Sequence, residues 1–331
     1  MNSLQRWIGA SVAVVGVCSA LVAQQRLVMP SPQVLEQGSA QADQPSLPEL
    51  PSHPSLPRTS AGRHYPLVPV QPAKIARLLA AIEQVIRDPD IPDADLPALA
   101  HQQQVIYRVL SRDTSRSAAV RAALDPRWHW VFDQHIAARR EFLAMHRGAP
   151  SAKVPAWRIQ SPASQEQLLK AYRSAADATG IPWTVLAAVN LVETGMGRID
   201  GVSVANAQGP MQFLPSTWAE PGIGQGGDIR IPWDAIHAAA RYLVRRGGLE
   251  DLRRGLWGYN NSNHYGEAVL RYAALLDRDP LAYRGLYHWQ IHYASAAGDL
   301  WLHEGYGRQK PARALQHTQE YPYSKPPSTL P

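Results

Sequence analysis

The chain has 331 residues and a net charge of +6 at neutral pH, enough for one good core and a smaller module, with a leaning towards acidic polymers. Its single cysteine, Cys18, lies in an apolar N-terminal run, which excludes disulfides and a thiol nucleophile from the rest of the chain. Arginines are dispersed and no basic-aromatic module is present, so no nucleic acid partner is expected.

Arg6 precedes an uncharged run, residues 7–23, rich in Val and Ala. It reads as an export signal within residues 1–29, either cleaved or kept as a membrane anchor. Its length is at the short edge of what spans a bilayer. Val17 is too bulky for the usual lipoprotein cleavage site before Cys18. The expected location is the cell envelope, periplasm or wall, with the protein secreted or held at the membrane by residues 7–23. From 30 to 72 prolines recur among Ser and Gln, and this composition predicts an extended, semi-rigid spacer.

Residues 73–150 turn helical. Ile75, Leu78, Leu79, Ile82 and Ile86 follow amphipathic spacing, and Pro89 closes that helix. Leu99, Val105, Ile106, Val109 and Leu110 make a second apolar face, and a third helix is predicted over about 127–145. These suggest a small bundle, either an annex packed on the domain that follows or an independent interaction module, without a catalytic constellation. His101, His129 and His135 lack metal-ligand spacing with a carboxylate; no metal or cofactor is expected.

A second, mainly helical domain is predicted over 155–305. Ser164 and Gln167 form a capping-box pattern; Leu168, Leu169, Tyr172 and Ala176 face inward, and Gly180 ends the helix. Pro182 suits the first turn of the next helix. Leu186, Asn190 and Glu193 recur on one face, and Gly195 is a natural left-handed stop. Glu193 thus falls in the last turn, where the partial negative charge of a helix end disfavours an anion. Desolvation by Met211 and Phe213 would add to this, raising the pKa above the usual value of about 4.3. A carboxyl protonated near neutral pH can act as a general acid; a solvated surface glutamate is the plainer alternative. A loop follows at 201–209, then a short helix from Pro215 and another opened by Pro232 with Ile236, Ala240, Leu243 and Val244 inward. Residues 249–256 lead into Tyr259-Asn260, and a last helix covers about 264–276. Trp289, Ile291 and Tyr293 alternate, as do Leu300 and Leu302 beyond a break at 296–299, the pattern of a hairpin. After Tyr306 the chain is basic and Pro-rich, and 306–331 is expected to be a disordered tail. The fold class is mainly α with a small β-hairpin.

Glu193-Thr194, Ser203, Gly209-Pro210-Met211-Gln212-Phe213 with Pro215 and Thr217, and Tyr259-Asn260 form an ordered series over about 167–276. Together they closely resemble the lysozyme-like catalytic domain of the soluble lytic transglycosylases. The sequence departs from that pattern at Thr194 for Ser, Pro210 for Leu and Gly258 for Ala, none of which removes a catalytic group. The resemblance implies peptidoglycan glycan strands as substrate, and the positive charge and many Trp and Tyr residues suit such a polymer. It makes Glu193 the single catalytic carboxyl, acid and then base, with a 1,6-anhydro-MurNAc product. It further implies that Ser203 and Gln212 hydrogen-bond substrate or the carboxyl. Tyr259 would approach Glu193, Asn260 would support that loop, and Met211 and Phe213 would wall the site, although core packing suits the last two nearly as well. Two alternatives stay open. A hydrolytic muramidase would use Asp200 as second carboxylate, and a binding protein would keep the fold without chemistry.

Overall fold

The computed structural model describes residues 47–145 and 148–327. The export signal at 1–29, with its apolar run, and the first part of the spacer, 30–46, lie outside the described residues. Among the described residues no helix is long and apolar enough to cross a membrane.

The architecture is mainly α, as expected. Helix α1 (Pro72–Arg87) has Pro at its start and buries Ile75, Leu79, Ile82 and Ile86. Helix α2 (Leu96–Leu110) is almost wholly enclosed. The short α3 (Thr114–Ala123) was not expected; Asp113 caps it by accepting from the Arg116 N–H at 2.9 Å. Helix α4 (His129–Met145) completes the annex. Strands β1 (Lys153–Val154) and β2 (Arg158–Ile159) lead to α5 (Gln165–Thr179), which opens on the Ser164–Gln167 capping box and ends at Gly180 with φ 82°. Helix α6 (Trp183–Thr194) carries Glu193 and stops at Gly195, φ 60°. Then come β3 (Ile199–Asp200), α7 (Pro215–Trp218), α8 (Pro232–Arg245), α9 (Leu252–Tyr259), α10 (Asn263–Arg278) and α11 (Ala282–Tyr287). The expected hairpin is present as β4 (Ile291–Ser295) paired antiparallel with β5 (Gly298–Leu302), Ile291 opposite Leu302.

One open domain question is decided and two expectations need correction. The annex helices and those that follow share one core, in which Ile75, Ile106 and Phe132 are contiguous with Leu186, Leu243 and Tyr265, and the described residues fall in one compact unit. A buried ion cluster ties them together. Arg87 reaches Glu83 (Nη1 to Oε2, 2.5 Å) and Asp279 at the end of α10 (Nε to Oδ2, 2.5 Å), while the Tyr107 hydroxyl donates to Glu83 at 2.6 Å. Burial by itself raises the Glu83 pKa, but Arg87, with His135 and Tyr107, outweighs it and holds the carboxyl below its usual range.

Secondly, residues 47–71 are not a free spacer. Leu56, Tyr65 and Leu67 are buried, the Leu67 carbonyl accepts from Gln102 at 2.8 Å, and the Arg63 guanidinium lies 5.1 Å over the Trp301 ring. Prolines keep the segment extended, while the apolar side chains between them anchor it to α2 and the hairpin. Thirdly, the described part of the tail is ordered. Strand β6 (Ala312–Arg313) pairs with β1, and α12 (Ala314–Glu320) follows. Ala314 and His317 are buried, and Arg308 pairs with Glu320 at 2.5 Å.

Candidate active site

The site begins with the end of α6. Asn190 and Thr194, both buried, turn their polar groups to the Pro210 carbonyl, from Nδ2 at 2.8 Å and Oγ1 at 2.6 Å. The Thr194 oxygen also accepts from the Gly197 N–H at 2.9 Å. Thr194 therefore joins the helix end to the 209–213 loop, a task for which the hydroxyl suffices. Left-handed Gly195 turns the chain away under β4; a Cβ there would lie 2.6 Å from Ile291 Cδ1.

Glu193 is left half-buried on a cleft of about 690 Å³. Its Oε1 accepts from the Tyr265 hydroxyl at 2.7 Å, and Oε2 has no protein partner among the described residues. Desolvation raises its pKa to about 7, with the Tyr265 hydrogen bond acting in the opposite direction. The carboxyl is therefore poised between acid and base near neutrality.

The expected site residues separate into groups. Asn260 lines the cleft with Glu193, as does Tyr265, which the sequence reading missed. Tyr259 does not bond to Glu193. Its hydroxyl donates to the Met211 carbonyl at 2.7 Å, and its ring stacks 6.3 Å from that of Tyr265, within 5° of parallel. Met211 and Phe213 lie in the core, with Phe213 edge-on to Trp218, Tyr242 and Tyr259; they back Tyr259 and do not line the cleft. Gln212 has φ 49°, and its amide closes on the Gly209 carbonyl at 3.0 Å. Ser203 accepts from the Ala205 and Ala207 N–H groups at 3.2 and 2.9 Å, pinning its own loop.

Asp200 lies in a separate hollow with Arg158 and Arg230. Its Oδ2 accepts from Arg158 Nε and Nη2 at 3.0 and 2.6 Å, and its Oδ1 from Arg230 at 3.2 Å. Both oxygens are thus engaged by cations, away from the cleft that holds Glu193.

A mainly α, lysozyme-like fold with one proton-holding carboxyl at a helix end defines the class. Residues 170–273, from within α5 into α10, match the family model of the transglycosylase SLT domain. No curated protein and no solved structure matches the chain. The matched stretch leaves out α2, α4 and the β4–β5 hairpin, which supply the far wall of the cleft.

Proposed function

We propose that the protein is a lytic transglycosylase, a carbon–oxygen lyase that cleaves the β-1,4 bond between MurNAc and GlcNAc in peptidoglycan. The observation that carries this reading is the Glu193 carboxyl, its pKa lifted to about 7 on an open cleft, while Asp200 is held elsewhere by two arginines. Protonated Glu193 donates its proton to the glycosidic oxygen as the bond to C1 breaks. The resulting carboxylate takes the proton of the C6 hydroxyl as O6 bonds to C1. A 1,6-anhydro sugar leaves, no water is consumed, and Glu193 ends protonated for the next cycle. Tyr265 orients the carboxyl through both steps, and Asn260 contacts the glycan from the rim. Residues 7–23 would carry the enzyme out to its substrate, as a signal or an anchor.

Digestion of purified peptidoglycan tests the reading. Glu193→Gln should lower cleavage by about 10²–10⁴. Asp200→Asn should leave the rate nearly unchanged, and product masses should be one water below those of reducing ends. Hydrated products together with an inactive Asp200→Asn variant would establish the hydrolase instead. An active Glu193→Gln variant would end both readings.

A further inference from the structure

The cleft that holds Glu193 continues well past it. Beyond Tyr265 it runs between the annex and the hairpin to Arg108, Arg112, Arg139 and Tyr272. Arg108 is neutralised there by Asp299, with Nε to Oδ2 at 2.7 Å and Nη2 closing the fork on Oδ1. Arg139 has no such partner. No carboxylate pairs with it among the described residues; the Phe142 ring lies 5.7 Å from its guanidinium, and its buried Nε–H donates to nothing. The Tyr272 hydroxyl is likewise buried without a partner. Burial, with Arg108 nearby, lowers the Arg139 pKa to about 10, which leaves it charged at neutral pH. A desolvated cation and a stranded hydroxyl are each costly to keep. Two of them on one open cleft call for an acceptor brought from outside.

We infer that Arg139 and Tyr272, with Arg112 at the rim, form a subsite for a carboxylate carried by the substrate, namely one on the peptide stem of muramic acid. Arginine's fork suits a carboxylate, and Arg112 is exposed at the mouth. Spacing supports the stem as source. Tyr265 and Tyr272 lie seven residues apart on α10, so the subsite is about 10 Å along the helix from the residue that holds Glu193. Two or three extended residues, at roughly 3.3–3.6 Å each, bridge that distance. The annex thereby becomes the part of the molecule that recognises peptide, next to a domain that recognises sugar. The inference rests on peptidoglycan being the substrate.

Binding to the full chain carrying Glu193→Gln tests it, with calorimetry on three glycans of equal length. One bears intact stems, one has its stems removed to leave only the lactyl carboxylate, and one is a chito-oligosaccharide without carboxylates. Adding Arg139→Gln should weaken binding of the stem-bearing strand by about ten- to a hundredfold and leave the other two within about twofold. Arg139→Lys should recover part of the loss, because it returns the charge without the fork; it answers the same question if the glutamine variant fails to fold. Equal affinity of parent and variant for the stem-bearing strand would overturn the subsite, as would an equal loss for all three glycans at unchanged melting temperature. A matching loss for the stripped strand would assign the site to the lactyl group and overturn the stem as ligand. If the Glu193→Gln parent bound none of the three, the failure would lie with the proposed function itself.

Discussion

Glu193 titrates where it can be watched. Its pKa rises on folding from 4.5 to about 7, so the acid form on which the proposed first step depends declines as pH passes through 7, and the rate of peptidoglycan cleavage should fall along an alkaline limb centred there. Stability follows the opposite ionisation. Below about pH 4 both folded and unfolded states are protonated and nothing is lost. Between 4.5 and about 7 only the unfolded state ionises, so the fold weakens as pH rises, by up to about 3 kcal/mol once the folded carboxyl also ionises. Glu193→Gln escapes this loss and should melt above the parent at pH 8 and level with it at pH 4, which calorimetry at the two pH values will read. Tyr265→Phe removes a donor that favours the carboxylate, so the alkaline limb should move up, with a slower rate as the carboxyl loses its orientation; an unmoved pH profile would remove Tyr265 from the site. The position of Glu193 is legible in the sequence because an apolar helix and a glycine stop leave it nowhere else to be. Its partner is not. Tyr259 and Tyr265 lie on different helices with parallel rings, and sequence order cannot tell which hydroxyl meets the carboxyl and which meets the Met211 carbonyl.

Among the elements, those that mark their ends with side chains are the ones the sequence gives away. Proline and the capping box announce α1, α5 and α8, and the alternation of Ile291, Tyr293, Leu300 and Leu302 announces the hairpin. Helices α3, α11 and α12 are short and have modest apolar faces, so their helicity comes from what they pack against and does not show in periodicity. The same holds for 47–71, where proline content suggests a free chain until Tyr65 and Leu67 find their pockets. The Arg87–Glu83–Asp279 cluster joins α1 to the end of α10. Arg87→Ala strands a fully enclosed carboxylate, and should destabilise the protein by about 3–5 kcal/mol, measurable by urea unfolding. A loss below about 1 kcal/mol would mean that water reaches Glu83.

For the molecule as a whole, the annex, the SLT domain and the C-terminal segment stand or fall together. Tyr283, Leu286 and Trp289 belong to the main core, the Trp289 indole donates to Gln103 at 2.9 Å, and Gln104 exchanges hydrogen bonds with Gln290 at 2.8 and 2.9 Å. Ending the chain after Asp277 should therefore abolish a cooperative melt and expose apolar surface to a hydrophobic dye. An unchanged transition would make the segment dispensable. This unity is the part least legible in sequence. Composition separates a Pro-rich stretch, a helical stretch and a basic tail, yet long-range pairing is what binds them, and no local pattern encodes a partner 200 or so residues away.

The embrace of Asp299 by Tyr65 and Arg108, across 234 and 191 positions of chain, bears on when the cleft is first whole. Synthesis runs from one end, and domains gather as their residues emerge. Glu193, Tyr259 and Tyr265 are made well before β4 and β5, so for that interval the opposite bank of the trough has α2 and α4 but lacks the hairpin. The trough closes only when the hairpin arrives and is gripped by helices made long before it. A chain that stops short of β5 thus holds the carboxyl over an open channel, a blunt tool sharpened only by its own last residues.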